Sequence, residues 1–368
     1  MGVETPKHKL KVCLVTISLA GGGAERSTAV LSQMLASKGY DVTLATVVNA
    51  VDYPFSGKHY SIGSGKNSFG IFTTMGRLLR FREFLKKEQF DLIIDNRSRP
   101  DTIKESIYSG FLYKGFKVLY VVRSFKLDTY FPKSAKMAGK LVKRAVGIVG
   151  VSKAIAAEVS KKYSTDKTHH IYNPVPLADI ENQAQKASIQ GKFIMAYGRM
   201  VDSVKNYSLL IEAYSKSELP AKGIELHLMG DGPDRSLLEF KADDAGLTKM
   251  VRFFPFNPNP YPQVKAALCT VLTSHYEGFP RAVIESLALG TPVVSVDCQS
   301  GPAEIIQNGI NGLLVPNYDV TALAQALNNL IFDQALLDST SANARASVAH
   351  LDTAVIAEKW DALIQKLV

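Results

Sequence analysis

The sequence has little of what would staple, metallate or embed a chain. It holds only three cysteines, Cys13, Cys269 and Cys298, far apart and each in or beside an apolar run. They form neither a zinc spacing nor a disulfide framework, and a reducing, cytoplasmic setting is expected. No run of about 18 apolar residues occurs, so no spanning helix is expected. The opening MGVETPKHKLK lacks the apolar core of a signal peptide. The seven histidines form no HExxH; His169 and His170 are adjacent, and neighbours on a strand point to opposite faces. No Asp-x-Asp pair is present to cage a metal–diphosphate complex, and there is no Walker, Gly-x-Ser-x-Gly or GxGxxG motif. Repeats and low-complexity segments are also missing.

Acid is scarce in one half only. Residues 1–190 carry 29 Lys and Arg against 15 Asp and Glu, and the remainder 14 against 19, within a total of +9. With 368 residues, this asymmetry points to two domains with different partners. No nucleic-acid motif accompanies the basic half; an anionic membrane surface or a phosphorylated substrate fits it better.

What is present is alternation. Apolar content is 46% with mean hydropathy near zero, ordinary for a soluble chain with a sizeable core. Short β-branched runs predict strands at 11–18, 41–48, 91–95, 117–122, 146–151 and 169–172. Helical spacing fills 24–37, 75–87, 101–113, 132–145 and 152–162, and 52–70 reads as a loop. A stretch from Asn173 to Gln190 reads as a linker. The alternation restarts with strands at 192–197, 224–229, 251–254, 267–272 and 292–296. Helices are expected at 207–215, after 233, at 303–307, and in three closing stretches, 321–330, 334–348 and 353–367. The fold class expected is α/β, with two doubly wound Rossmann-like domains facing across a cleft and ligand loops at strand C-termini. The domains are expected at 1–175 and 190–350.

Candidate chemistry lies at strand ends. Residues 273–292, TSHYEGFPRAVIESLALGTP, hold Glu277 and Glu285 around a Gly278-Phe279-Pro280 turn. Pro280 suits the first turn of a helix, and the helix end offers N–H groups to an anion. On spacing alone, Glu277 serves equally as a dipole-stabilising cap and Glu285 as a solvated helix residue. Arg199 and Lys205 bracket the loop after the first strand of the second half and could clasp a pyrophosphate; two surface cations fit as well. Gly21-Gly22-Gly23 joins the first strand to a helix, as a ligand cradle or a plain tight turn. Lys133, Lys136, Lys140, Lys143 and Arg144 share one helix face, suited to anionic lipid or simply to solvent. His275 reads as packed or as adjacent to the site.

These residues carry a resemblance. GGGAER at 21–26, YGRMVDSVKNYSLLIEAY at 197–214, LMGDGP at 228–233, NPYP at 259–262, YEGFPRAVIESLALGTPVV at 276–294 and SGPAEII at 300–306 occur in the order seen in retaining glycosyltransferases of family 4. The chain resembles that family over nearly its whole length. The resemblance implies the two-domain GT-B fold, with the final helix, about 353–368 and bearing Trp360, crossing back to the first domain. It implies a nucleotide diphosphate sugar as donor, uridine first among carriers, and no metal. Arg199 and Lys205 would stabilise the departing diphosphate. Glu285 would bind the ribose, and Glu277 the transferred sugar with the backbone of Gly278, Phe279 and Pro280. Phe254 to Phe256 would lie near the base and Gly230 near the donor, while Gly22 and Gly23 would close over it. The acceptor implied is a glycan or a lipid-linked glycan of envelope polysaccharide synthesis, used at the inner face of the cytoplasmic membrane. One departure is Arg123, which stands where many relatives carry histidine; arginine stays protonated, so its role would be electrostatic. An epimerase or hydrolase of the same fold, or a non-catalytic nucleotide-sugar binder, are the alternatives.

Overall fold

The computed structural model describes residues 9–63, 71–186 and 191–368. It divides the chain into two compact units, one of Met1–Pro174 with Thr353–Val368, the other of Val175–Asp352.

In the first unit the apolar runs become parallel strands β1 (Lys11–Thr16), β2 (Asp41–Thr46), β3 (Lys58–Ser61), β4 (Leu92–Asp95), β5 (Val118–Val122), β6 (Gly147–Gly150) and β7 (Thr168–His170). Their order is β3-β2-β1-β4-β5-β6-β7. Residues of β4, β5 and β6 are buried throughout, as expected of strands covered on both faces. Helices α1 (Gly23–Ser37), α2 (Ile71–Glu88), α3 (Thr102–Ile107), α4 (Ala135–Arg144) and α5 (Lys153–Tyr163) connect them. Ser152 caps α5 by accepting from the Ile155 N–H at 3.2 Å, and Asp101 caps α3 through Ile103 and Lys104. Such caps satisfy N–H groups that have no partner within the helix.

The C-terminal helix Thr353–Leu367 belongs to this unit and packs on α1. Ile356, Trp360, Leu363 and Ile364 are its buried stripe. Polar ties reinforce it. Gln365 donates to the Tyr40 hydroxyl at 3.1 Å, Tyr40 donates to Asp361, and Lys38 pairs with Glu358.

The second unit repeats the plan with β8 (Phe193–Tyr197), β9 (Glu225–Met229), β10 (Val251–Phe254), β11 (Thr270–Leu272), β12 (Val293–Asp297) and β13 (Gly312–Pro316), all parallel, in the order β10-β9-β8-β11-β12-β13. Its helices are α6 (Leu177–Gln183), α7 (Asp202–Lys205), α8 (Tyr207–Lys216), α9 (Arg235–Asp244), α10 (Tyr261–Ala266), α11 (Arg281–Ala288), α12 (Pro302–Ile305), α13 (Val320–Phe332) and α14 (Gln334–Ser347). In both units the strand order reverses beside the first strand, between β1 and β4 and between β8 and β11. Open α/β sheets take ligands at the carboxyl ends of such strands.

Several expectations are corrected. The 52–70 loop contains β3, a half-exposed edge strand whose KHYS lacks apolar alternation; residues 64–70 of it lie outside the described residues. The polar stretch after Asn173 is not a linker at its start. It contains α6, which anchors on the second unit through buried Ile180, while 187–190 lie outside the described residues. The Pro-rich run 255–263 ends in α10, where Pro262 sits in a first helical turn that needs no N–H. Strand β13 was not expected, because its GLLVP has neither alternation nor β-branched enrichment. The 101–113 helix widens to a π turn at Tyr108–Leu112. Lys133 lies before α4, which Ser134 caps.

Candidate active site

The C-terminal ends of β8 and β11 gather most of the predicted site residues. After β11 the chain turns through Ser274 and Glu277 into Gly278-Phe279-Pro280, and Pro280 is the N-cap of α11 rather than its first residue. Glu277 accepts from Lys205 Nζ at 2.6 Å and from Ser274 Oγ at 2.6 Å. Lys205 ends α7, and Asn206 in left-handed conformation turns the chain sharply into α8. Asparagine tolerates that conformation better than most residues.

A neighbouring loop holds the turn rigid. Glu277 N–H donates to Gln299 O at 2.9 Å, Ser300 N–H to Glu277 O at 3.1 Å, and Ser300 Oγ to Gly278 O at 3.0 Å. Gly301 has φ +108°, and a Cβ there would meet Pro280 Cδ at 2.6 Å. Only glycine permits so close an approach.

Glu285 is 4% exposed, which excludes the solvated-helix alternative. Arg281 Nη2 donates to Glu285 Oε1 at 2.9 Å, and Tyr197 OH donates to its Oε2 at 3.2 Å. Tyr261 OH stands 3.4 Å from Oε1. Burial and the Glu285 carboxylate push the Tyr197 hydroxyl well above its usual range, so it stays a donor. Burial and then Glu277 do the same to Tyr207. These supports were absent from the sequence reading. Only Arg281, four residues before Glu285 on one helix, had a legible signal; Tyr197, Tyr261 and Ser274 reach the carboxylates through the fold.

Arg199, after β8, is exposed and has no ion pair among the described residues. Gly230 ends β9 with φ +146°, and a Cβ there would sit 1.9 Å from Gly198 O. Its requirement is therefore close packing of two loops. Phe254 is half-buried beside His227, whose ring stacks on Phe193 at 4.1 Å. The Phe256 ring is 61% exposed, while its N–H is engaged by Asp231 Oδ2 at 2.8 Å. His275 is half-buried with Nδ1 3.2 Å from the Tyr318 hydroxyl. Cys298, Cys269 and Cys13 are buried free thiols; burial lifts Cys269 and Cys298 to about 12.

The remaining predicted residues lie in the first unit. Gly22 is the N-cap of α1 and Gly23 its first residue; a Cβ on Gly22 would meet Glu25 Oε2 at 2.3 Å. Arg123 follows β5 and donates from Nη2 to Asn96 Oδ1 at 2.8 Å and from Nη1 to Asn173 Oδ1. The cations Lys136, Lys140, Lys143 and Arg144 of α4, with Lys133 before it, are all exposed, and Met137, Ala138, Leu141 and Val142 form the buried side.

Next to Arg123, the end of β4 holds a cluster that the sequence reading did not single out. Asp95, Arg97, Arg99 and Glu105 are each no more than 4% exposed. Arg97 pairs with Asp95 at 2.7 Å and Glu105 at 3.1 Å. Arg99 donates to the carbonyls of Asp95, Arg97, Val121 and Tyr130. Burial works against the Arg97 charge, but the Asp95 carboxylate outweighs it and holds the guanidinium well above its usual range.

The comparisons with known proteins agree with this anatomy. Residues 21–179 match the family model "Glycosyltransferase Family 4", and residues 179–347 match "Glycosyl transferases group 1". The chain belongs to the glycosyltransferases, built from a family 4 domain followed by a group 1 domain. It is 34% identical over 195 residues to an exopolysaccharide phosphotransferase of Streptomyces coelicolor, covering 53% of this chain and 21% of that protein. It is 26% identical over 373 residues to N-acetylgalactosamine-N,N'-diacetylbacillosaminyl-diphospho-undecaprenol 4-alpha-N-acetylgalactosaminyltransferase of Campylobacter jejuni, covering 94% and 97%. Among solved structures, S. aureus TarM in complex with Fondaparinux, alpha-GlcNAc-glycerol and UDP superposes with TM-score 0.78 at 15% identity, covering 96% and 99%. The fold is GT-B, two parallel-sheet Rossmann-like domains.

Proposed function

We propose that this chain is a retaining enzyme that moves a hexose or N-acetylhexosamine from a uridine diphosphate sugar to a lipid-linked glycan in cell-envelope polysaccharide synthesis. The observation that carries the donor half is the Lys205–Glu277 pair, 2.6 Å apart on a turn fixed by three hydrogen bonds. Lys205 and Arg199 hold the diphosphate. Glu277 accepts from hydroxyls of the transferred sugar, assisted by backbone at Gly278, Phe279 and Pro280. Glu285 takes the ribose, with Phe254 and Phe256 toward the base and Gly230 setting the loop between them.

The reaction breaks the bond from the anomeric carbon to the diphosphate oxygen and forms one to the acceptor oxygen on the same face. The acceptor hydroxyl proton passes to the departing diphosphate. Negative charge grows on that leaving group, and Lys205, Arg199 and the N-terminus of α11 stand ready for it. Preorganised donors of this kind contribute about 3 kcal/mol each to a barrier.

The Campylobacter relative is named for an acceptor on diphospho-undecaprenol, and a lipid-linked acceptor here accords with the basic first unit. We place the cations of α4 against anionic lipid. No helix among the described residues is long and apolar enough to cross a membrane, so attachment would be peripheral.

The test is a thermal-shift panel of UDP-, GDP- and ADP-sugars on wild type and Glu285→Ala. A ligand that binds only the native state adds about 2.7 kcal/mol at a hundredfold over its Kd. A UDP-sugar should stabilise wild type and not the variant. No shift with any sugar nucleotide overturns the donor assignment. Vesicle flotation at low salt, with and without anionic lipid, tests the surface; equal binding to both overturns it.

A further inference from the structure

The three strand ends of the first unit converge on one guanidinium. β4 continues into Asn96, whose N–H donates to Val15 O at 2.8 Å, tying it to β1. β5 continues into Arg123, and the chain beyond β7 brings Asn173. Both asparagines are buried, 4% and 7% exposed. Each presents Oδ1 to a different terminal nitrogen of Arg123, Asn96 to Nη2 at 2.8 Å and Asn173 to Nη1. Arg99, fully buried, donates to Val121 O at 3.0 Å, two residues before Arg123, and so braces the strand that carries it.

We infer that Asn96 and Asn173 are positioning residues that hold Arg123 as a fixed cationic fork for a phosphate or diphosphate group of the acceptor. This deepens the acceptor side of the proposed function and rests on it. The choice of partner residue carries the argument. An amide oxygen orients a guanidinium by hydrogen bonding and brings no charge of its own. Two residues along, Arg97 is set against the carboxylates of Asp95 and Glu105, which bring two negative charges to it. The loop thus treats its arginines in two ways, one set against acids in the interior and one oriented by amides. A planar fork held at both ends suits a tetrahedral oxyanion, which it can meet through two parallel N–H groups. A merely structural arginine gains more from a carboxylate than from an amide, so Asn→Asp separates the two roles while keeping the oxygen in place.

The experiment titrates inorganic pyrophosphate into the full chain labelled with 15N-arginine and follows the side-chain Nε–H signals. Arg123 and Arg199 are assigned by the signals lost in Arg123→Lys and Arg199→Lys. The Arg123 signal should move with pyrophosphate in wild type. In Asn96→Asp and in Asn173→Asp the midpoint should rise on the order of tenfold or more, as an added negative charge at contact distance predicts, with melting temperature held or raised. Either variant alone suffices if the other does not fold. An Arg123 signal that ignores pyrophosphate, or variants with unchanged midpoints, overturns the inference. The Arg199 signal reports the donor site separately: its silence would sink the donor assignment and leave this inference standing or falling on Arg123.

Discussion

The two units share one plan and use it differently. Each is a parallel sheet whose order reverses beside its first strand, and each puts charged side chains at that reversal. In the first unit the charges Asp95, Arg97, Arg99 and Glu105 are buried and matched within the loop. In the second, Arg199 is exposed, and Lys205 and Glu277 form a partly exposed pair on a tight turn. The lesson is that strand order locates a charged site, whereas burial decides whether its charges hold the fold or face a ligand.

The largest effect should come from breaking the buried set. Asp95→Ala leaves two buried guanidinium groups without that carboxylate and should cost about 3–5 kcal/mol of stability, seen as a lower denaturant midpoint. Lys205→Ala, at the partly exposed pair, should leave stability nearly unchanged and lower kcat by about 10²–10³, measured as sugar transfer. If both variants lose stability equally, the contrast between the units fails. Gly230→Ala falls between the two kinds. Its φ of +146° and the 1.9 Å approach to Gly198 O should cost about 1–3 kcal/mol and weaken donor binding too, because Arg199 follows Gly198. The smallest change is Asp333→Ala. This residue caps α14 by accepting from Leu336 N–H at 3.0 Å, far in sequence from either reversal, and should cost about 1 kcal/mol with kcat unaltered.

The strands that were legible are those with apolar, β-branched runs, such as VLYVV of β5 and VVSVD of β12. The two that were missed, β3 and β13, are edge strands with weaker patterns. An edge strand has one neighbour and one half-covered face, so its sequence is under less pressure to alternate. At the site, Glu277, Glu285 and Lys205 were legible because their spacing around a Gly-Phe-Pro turn is a local pattern. Tyr197 and Tyr261 were not, although they hold Glu285. They stand 88 and 24 residues from it in sequence, and nothing local marks a tyrosine as a carboxylate's partner. The helix α6 was hidden for a related reason, since its short polar sequence is ordered by what Ile180 packs against.

By itself the sequence determined the strand–helix alternation, the restart that makes two α/β halves, and the order of glycine, cation and carboxylate motifs. These follow from periodicity and turn chemistry, which act over a few residues. The tertiary structure alone decided that Glu285 is buried and triply supported, that Lys205 meets Glu277, and that Asn96, Arg123 and Asn173 come together from three strand ends. Those contacts join residues tens of positions apart, and a parallel sheet brings them together only because every strand must deliver its C-terminal end to the same edge.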